Sequence, residues 1–173
     1  MKRIKLAGLL AAGIPLAMAI GAYASGKDDK AKPTSGFAQL IPLVGEWEGT
    51  SGNGSPVKLT YTLVSNGTAL MERMEPSKEA EMITMYSADG DRIVVTHYCS
   101  AGNQPQMQTA ALSGPTKKFD FTLVRVTGLR SPEEGHMVRL VLMMVDKDHL
   151  TQEWTFEQNG KAQSDVFRYT RKN

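Results

Sequence analysis

Between Phe37 and Arg171 the hydrophobic and polar positions alternate with a period of two and hold a helical period only briefly. Runs of alternation bounded by Gly, Pro, Asn, Asp and Ser recur roughly every 8 to 15 residues, the spacing of an all-β barrel or sandwich. They predict ten strands, at about 43 to 50, 56 to 64, 68 to 75, 80 to 87, 91 to 99, 106 to 112, 118 to 126, 136 to 145, 149 to 157 and 164 to 171. One helical spacing precedes them: Phe37, Leu40 and Ile41 at i, i+3 and i+4 predict a short helix or 3₁₀ turn stopped by Pro42. Ser65-Asn66-Gly67, Ala88-Asp89-Gly90, Ser113-Gly114-Pro115 and Asp146-Lys147-Asp148 predict tight turns at the even-numbered connections. The odd-numbered connections are generally longer, notably 100 to 105 and 127 to 135. In an up-and-down antiparallel meander alternate loops lie at opposite ends. The pattern therefore predicts a barrel of about ten strands, closed at one end by short turns and open at the longer-looped end.

The same alternation assigns faces. Val57, Leu59, Tyr61 and Leu63 share one face of the second strand, Ile93, Val95, His97 and Cys99 one face of the fifth, and Leu150, Gln152, Trp154 and Phe156 one face of the ninth. Tyr98 then points outward. Extending the parity places Met82, Thr84, Tyr86, Met107, Thr109, Arg125 and His136 on the interior as well, a mixture more polar than a dry core carries. The densest chemistry lies in residues 97 to 107, which hold the only cysteine, one of three histidines and a Gly102-Asn103-Gln104-Pro105 loop.

Composition narrows the setting. Lys2, Arg3 and Lys5 precede an apolar run from Leu6 to Ala22 that closes on Ala22-Tyr23-Ala24, the pattern of a signal peptide. Residues 1–24 are thus expected to be removed on export to the periplasm or exterior, with no stable membrane span left afterwards. Residues 25–35 read as a flexible polar leader and residues 36–173 as a single domain. A formal net charge of +2, with 22% charged residues, gives no reason to expect a nucleic-acid partner. With Cys99 alone, no intrachain disulfide can staple the fold.

The first strand reads Leu43-Val44-Gly45-Glu46-Trp47-Glu48-Gly49, and the last ends Phe167-Arg168-Tyr169-Thr170-Arg171. This resembles the lipocalin and fatty-acid-binding (calycin) superfamily, whose first strand carries Gly-x-Trp and whose final strand often supplies a basic residue over that tryptophan. The resemblance implies that Arg171 packs on Trp47. The later lipocalin motifs and disulfides are missing. More closely, the chain from Phe37 to Arg171 is similar to a group of uncharacterised exported bacterial proteins related to a domain family of unknown function. The similarity lies in Leu43 to Gly49, in residues 97 to 107 and in Asp148 to Trp154, and it implies a fold without an activity. The ten-stranded barrel of haem-binding nitrobindins is the nearer analogue, but their ligating histidine near the C-terminus has no match after His149.

Several chemistries compete at the dense segment. His97 and Cys99 sit two apart on one face, about 6 to 7 Å from each other by strand rise, which suits two ligands of one metal better than a nucleophile and its base. With Met107 across the loop, a Cys-His-Met set would suit Cu(I). Against this, free cysteine is among the most buried residue types, so Cys99 also reads as packing and His97 as a hydrogen-bonded wall residue. A cysteine-dependent enzyme needs a base and an oriented donor set, and no Asp or Glu lies close enough in sequence to orient His97. Asn103 and Gln104 are explained equally by turn chemistry and by lining the mouth. Arg125 and Glu72 are candidate buried charges. The expectation is a binder of a small, apolar or amphipathic ligand through Tyr61, Tyr86, His97, Cys99, Asn103, Gln104, Arg125, His136 and Trp154, with metal and cofactor unassigned. The alternatives are a filled barrel with an interaction or envelope-structural role, and an enzyme using His97 and Cys99. A continuous lumen below about 300 Å³ would exclude the carrier.

Overall fold

The computed structural model describes residues 35–172, so the expected signal segment and all of the expected leader but Ser35 lie outside the described residues. Within them ten strands form one closed antiparallel barrel: β1 (Gly45–Thr50), β2 (Pro56–Val64), β3 (Ala69–Pro76), β4 (Met82–Asp89), β5 (Arg92–Tyr98), β6 (Gln104–Gln108), β7 (Lys118–Thr127), β8 (His136–Met144), β9 (His149–Gln158) and β10 (Lys161–Arg171). Each strand pairs with its neighbours in sequence, and β1 closes on β10, with Trp47 opposite Leu59 on one side and Arg171 on the other. Alternation is the cause. Strand β2 buries Val57, Leu59 and Tyr61 and leaves Lys58 and Thr62 outside, and β7 buries Phe119 and Phe121 and exposes Lys118 and Thr122.

Several boundaries differ from the sequence expectation, three of them with consequences for the ends of the barrel. Strand β6 starts at Gln104, two residues early, because Pro105 and Met107 turn inward while Gln104 to Gln108 pair with β7. Strand β10 starts at Lys161, joined to β9 by a two-residue turn in which Asn159 and Gly160 both have positive φ, so one odd-numbered connection is tight. Conversely the sixth connection, residues 109 to 117, is long. It crosses the closed end, where its backbone is used: Leu112 N–H donates to Asp91 O at 2.9 Å, and Thr116 N–H donates to Gln39 Oε1 at 2.6 Å.

That end is plugged by the N-terminal segment. Helix α1 (Ser35–Ala38) and a 3₁₀ turn (Ile41–Leu43) bury Phe37, Leu40 and Leu43 against the barrel floor. Pro42 opens the 3₁₀ turn rather than stopping the helix, since a missing N–H is harmless at the first positions. Trp47 Nε1 donates to Leu43 O at 2.9 Å, and the Arg171 guanidinium lies 4.1 Å from the Trp47 ring centroid while donating to Val44 O and Pro42 O. The contact that Gly-x-Trp implies is thus present. Gly45 is required there because its φ is +130° and an added Cβ would stand 3.0 Å from Arg171 Nη1.

Gly49 serves the closure of the barrel. A Cβ at this position would lie 2.1 Å from the Arg168 carbonyl oxygen and 2.6 Å from the Tyr169 ring, on the β1–β10 seam. Gly49→Ala is expected to destabilise the fold by about 1–3 kcal/mol through forced displacement of β10. Urea unfolding at constant m-value measures this, and an unchanged midpoint would show that the seam yields freely.

Candidate functional site

The interior is built in layers. Leu59, Leu70, Ile93, Phe119, Phe121, Leu140, Leu142 and Leu150 are buried apolar side chains that fill the barrel together with the floor residues. A polar layer crosses them. Cross-strand register places Tyr61 opposite Glu72, Glu72 opposite Thr84 and Thr84 opposite His97, so four neighbouring strands contribute one inward residue each to a continuous belt. Glu72 is fully buried. Its Oε2 accepts from Tyr86 O–H and from Gln152 Nε2, each at 2.7 Å, and its Oε1 accepts from Thr84 Oγ1 at 3.2 Å. Gln152 Nε2 also donates to Tyr61 Oη at 2.8 Å, and Gln152 Oε1 accepts from Trp154 Nε1 at 3.1 Å.

Burial raises the carboxyl pKa of Glu72, and the polar groups of Tyr61, Tyr86, Gln152 and Thr84 around it draw it back down. Burial, and then the neighbouring Glu72, raise Tyr61 and Tyr86 well above the usual phenol range, so both hydroxyls stay protonated. Thr84 links this layer to His97, its Oγ1 lying 2.9 Å from Nδ1. The His97 ring is 1% exposed and packs against Trp154 with centroids 4.5 Å apart. Burial lowers its pKa to about 4, leaving the imidazole neutral. Its Nε2 is buried with no hydrogen-bond partner among the described residues.

Above the belt the barrel opens into a cavity of about 590 Å³. Met74, Met82, Met137, Trp154, Phe156 and Phe167 form its apolar wall, joined by His97 of β5 and by Cys99 just after it. The rim is polar and comes from the β1–β2, β3–β4 and β5–β6 loops and from β10, including Asn53, Lys78, Glu79, Ser100 and Asp165. The mouth is therefore the end carrying the odd-numbered connections.

Three of the nine residues singled out from the sequence, His97, Cys99 and Trp154, line this cavity. Tyr61 and Tyr86 are buried beneath it in the polar layer. Asn103 is buried and ties two loops together, its Nδ2 donating to Gly135 O at 2.9 Å, while Gln104 bonds Gly102 O and Thr127 Oγ1. Neither amide lines the mouth cavity.

Arg125 and His136 are corrections. The β6–β7 register slips so that Gln106 faces Arg125 and Met107 faces Leu123, leaving Val124 as an extra residue. Beyond that bulge the parity of β7 inverts, and Arg125 stands exposed with its Nε donating to Gln106 Oε1 at 2.6 Å. Strand β8 slips likewise between Met137 and Arg139, which turns Met137 into the lumen and His136 outward opposite Glu157. His149 is exposed in an Asp146 turn at the closed end, so among the described residues His97 is the lumen histidine. Met107 is buried opposite Val95 and does not line the cavity, so it does not complete a Cys-His-Met set. Desolvation raises the Cys99 thiol pKa, which disfavours a reactive thiolate.

The methionine and aromatic wall was present in the alternation as inward positions, but nothing local marked those residues as lining space rather than filling it. Glu72 carried a clearer signal, a carboxylate on the same face as Leu70 and Met74.

No protein-family model matches the sequence, and no curated protein matches it. The fold is shared with solved structures. Rv2717c from M. tuberculosis is 13% identical with a TM-score of 0.59, over 82% of this chain and 100% of that one. A protein of unknown function from the DUF3598 family of Nostoc punctiforme is 14% identical with a TM-score of 0.52, over 82% of this chain and 51% of that one. Likeness at such identity is a likeness of fold alone, and any chemistry must come from the residues described above.

Proposed function

We propose that this chain is an exported carrier or receptor that holds a small, partly apolar molecule in the upper half of its barrel. The observation that carries the reading is the cavity of about 590 Å³, walled by methionine and aromatic side chains and lined at its base by His97, whose Nε2 is buried and unpartnered among the described residues. Its volume falls within the usual span of small-ligand pockets, about 300 to 1,000 Å³. Thioether side chains adapt to irregular ligand shapes, and the polar rim suits a molecule with an apolar body. Export is supported by the charged, apolar and small-residue pattern of residues 1–24. Kinship with the calycin superfamily is supported by the Trp47–Arg171 contact.

The test is titration of the purified protein with N-phenyl-1-naphthylamine, whose fluorescence rises in apolar surroundings. Saturable binding with a micromolar Kd is expected. Ala101→Trp, at an exposed lining position on the β5–β6 loop, should weaken it at least tenfold without moving the unfolding midpoint. Absence of saturable binding would replace the carrier with the filled, structural barrel.

A further inference from the structure

We propose that the lumen selects neutral ligands bearing a hydrogen-bond donor, which bond to His97 Nε2, and that Glu72 sets this preference through the hydroxyl of Thr84. The proposal deepens the carrier reading and rests on it.

An indole N–H can only donate, so the bond from Trp154 Nε1 fixes Gln152 with Oε1 toward Trp154 and Nε2 toward Glu72. Glu72 Oε2 then receives two donors, Gln152 Nε2 and Tyr86 O–H. Glu72 Oε1 faces Thr84, whose Oγ1 stands 3.2 Å from it and 2.9 Å from His97 Nδ1. The hydroxyl has one proton and can donate in one direction only.

With Glu72 ionised, both of its carboxyl oxygens accept hydrogen bonds. Thr84 therefore donates to Glu72 Oε1 and accepts from His97 Nδ1–H. A neutral imidazole protonated at Nδ1 carries a bare lone pair at Nε2. Thr84 does not line the cavity whereas His97 does, so the Nδ1 edge of the ring lies on the belt; Nε2 itself has almost no accessible surface, and a ligand donor reaches it only as the cavity lining gives way. Nε2 is buried and lacks any partner among the described residues, a state that a ligand donor relieves.

Charge excludes the opposite class. Among the described residues, the ionisable side chains buried in the barrel interior are Glu72, the neutral His97 and protonated tyrosines, with no lysine or arginine. A ligand carboxylate entering tail-up would meet a lone pair and a buried anion instead of a cation. If Glu72 held a proton, it would sit on Oε1, Thr84 would donate to Nδ1, and Nε2 would carry N–H. Glu72→Gln reproduces that pattern: its oxygen accepts from Gln152 and Tyr86, and its amide N–H faces Thr84.

Three isosteric tricyclic compounds decide the matter by displacing N-phenyl-1-naphthylamine: carbazole, which only donates; 9-fluorenone, which only accepts; and fluorene, which does neither. Wild type should bind carbazole at least fivefold tighter than the other two. Glu72→Gln should reverse the order in favour of 9-fluorenone, and Thr84→Val should erase the preference. Equal wild-type affinity for carbazole and fluorene, or an unchanged order in Glu72→Gln, overturns the proposal and leaves the carrier reading standing. Failure of all three compounds and of the dye overturns both.

A second measurement does not depend on the Glu72 and Thr84 variants folding. In ¹⁵N-histidine-labelled wild-type protein, Nε2 of His97 should give a pyridine-type resonance and Nδ1 a pyrrole-type one. His97 is identified among the three histidines by its absence in His97→Gln. The reverse pair of resonances overturns the proposal directly.

Discussion

Glu72→Leu is expected to lower the stability of the barrel by about 3 kcal/mol or more, the cost of breaking a buried polar network by removing its centre. Three donors lose their acceptor together: Tyr86 O–H, Gln152 Nε2 and Thr84 Oγ1. An unsatisfied buried donor costs about 1–3 kcal/mol. Gln152 cannot rotate to escape, because Trp154 Nε1 holds its carbonyl oxygen, although one of its N–H groups keeps Tyr61. Relief from burying a carboxylate offsets part of the loss, since desolvation opposes the charged form. The offset is partial because the hydrogen bonds from Tyr86, Gln152 and Thr84 already compensate that carboxylate. Urea unfolding followed by tryptophan fluorescence measures the change. Adding Tyr86→Phe to Glu72→Leu should recover about 1 kcal/mol, because the second substitution deletes one of the orphaned hydroxyls. A loss below about 0.5 kcal/mol in the single variant would mean that water or rearrangement satisfies the belt, and the layer would then be no rigid floor for a ligand.

The network also marks where sequence reasoning stops. Ten strands were legible because each buries one face, so alternation was enforced by the core. Register slips are not written in alternation: Val124 and Val138 are β-branched residues that sit in the pattern as any strand residue would, and only pairing with the neighbouring strands reveals them as extra. Everything beyond such a residue changes face, which is why Arg125 and His136 were assigned to the lumen. Strand β10 hid its start for another reason. Ala162, Gln163 and Ser164 are all exposed, so no face is selected until Val166 and Phe167. At the site, His97, Cys99 and Trp154 followed from parity alone. The joining of Glu72 to Gln152, 80 residues away, did not, because it requires the curvature of the closed barrel to bring β3 and β9 across the lumen.

Acidification from pH 7 to below 4 is expected to remove about 3 kcal/mol of stability through His97 alone, from a shift of roughly 2.5 units at about 1.36 kcal/mol each. The folded protein holds His97 at about 4, against 6.5 for the free imidazole, and the cause is burial. Between those values the unfolded chain binds the proton and the folded chain does not. The contribution is therefore fully present above pH 6.5 and fades as pH falls through the interval. Glu72 acts in the opposite sense. Its folded pKa is raised above 4.5, so the folded state takes up a proton before the unfolded state does, and acidification through that window favours folding. The two groups share Thr84, and the net acid slope is smaller than His97 alone would give. Comparison of wild type with His97→Gln isolates the histidine, since every other titrating group is common to both. Stabilities from urea titrations at pH 7 and pH 4 should fall by about 2–3 kcal/mol more in wild type than in the variant. Equal losses would show that His97 takes up its proton in the folded state, through water reaching Nε2 from the mouth, and the cavity floor would then be wet rather than the dry, neutral surface on which donor selection depends.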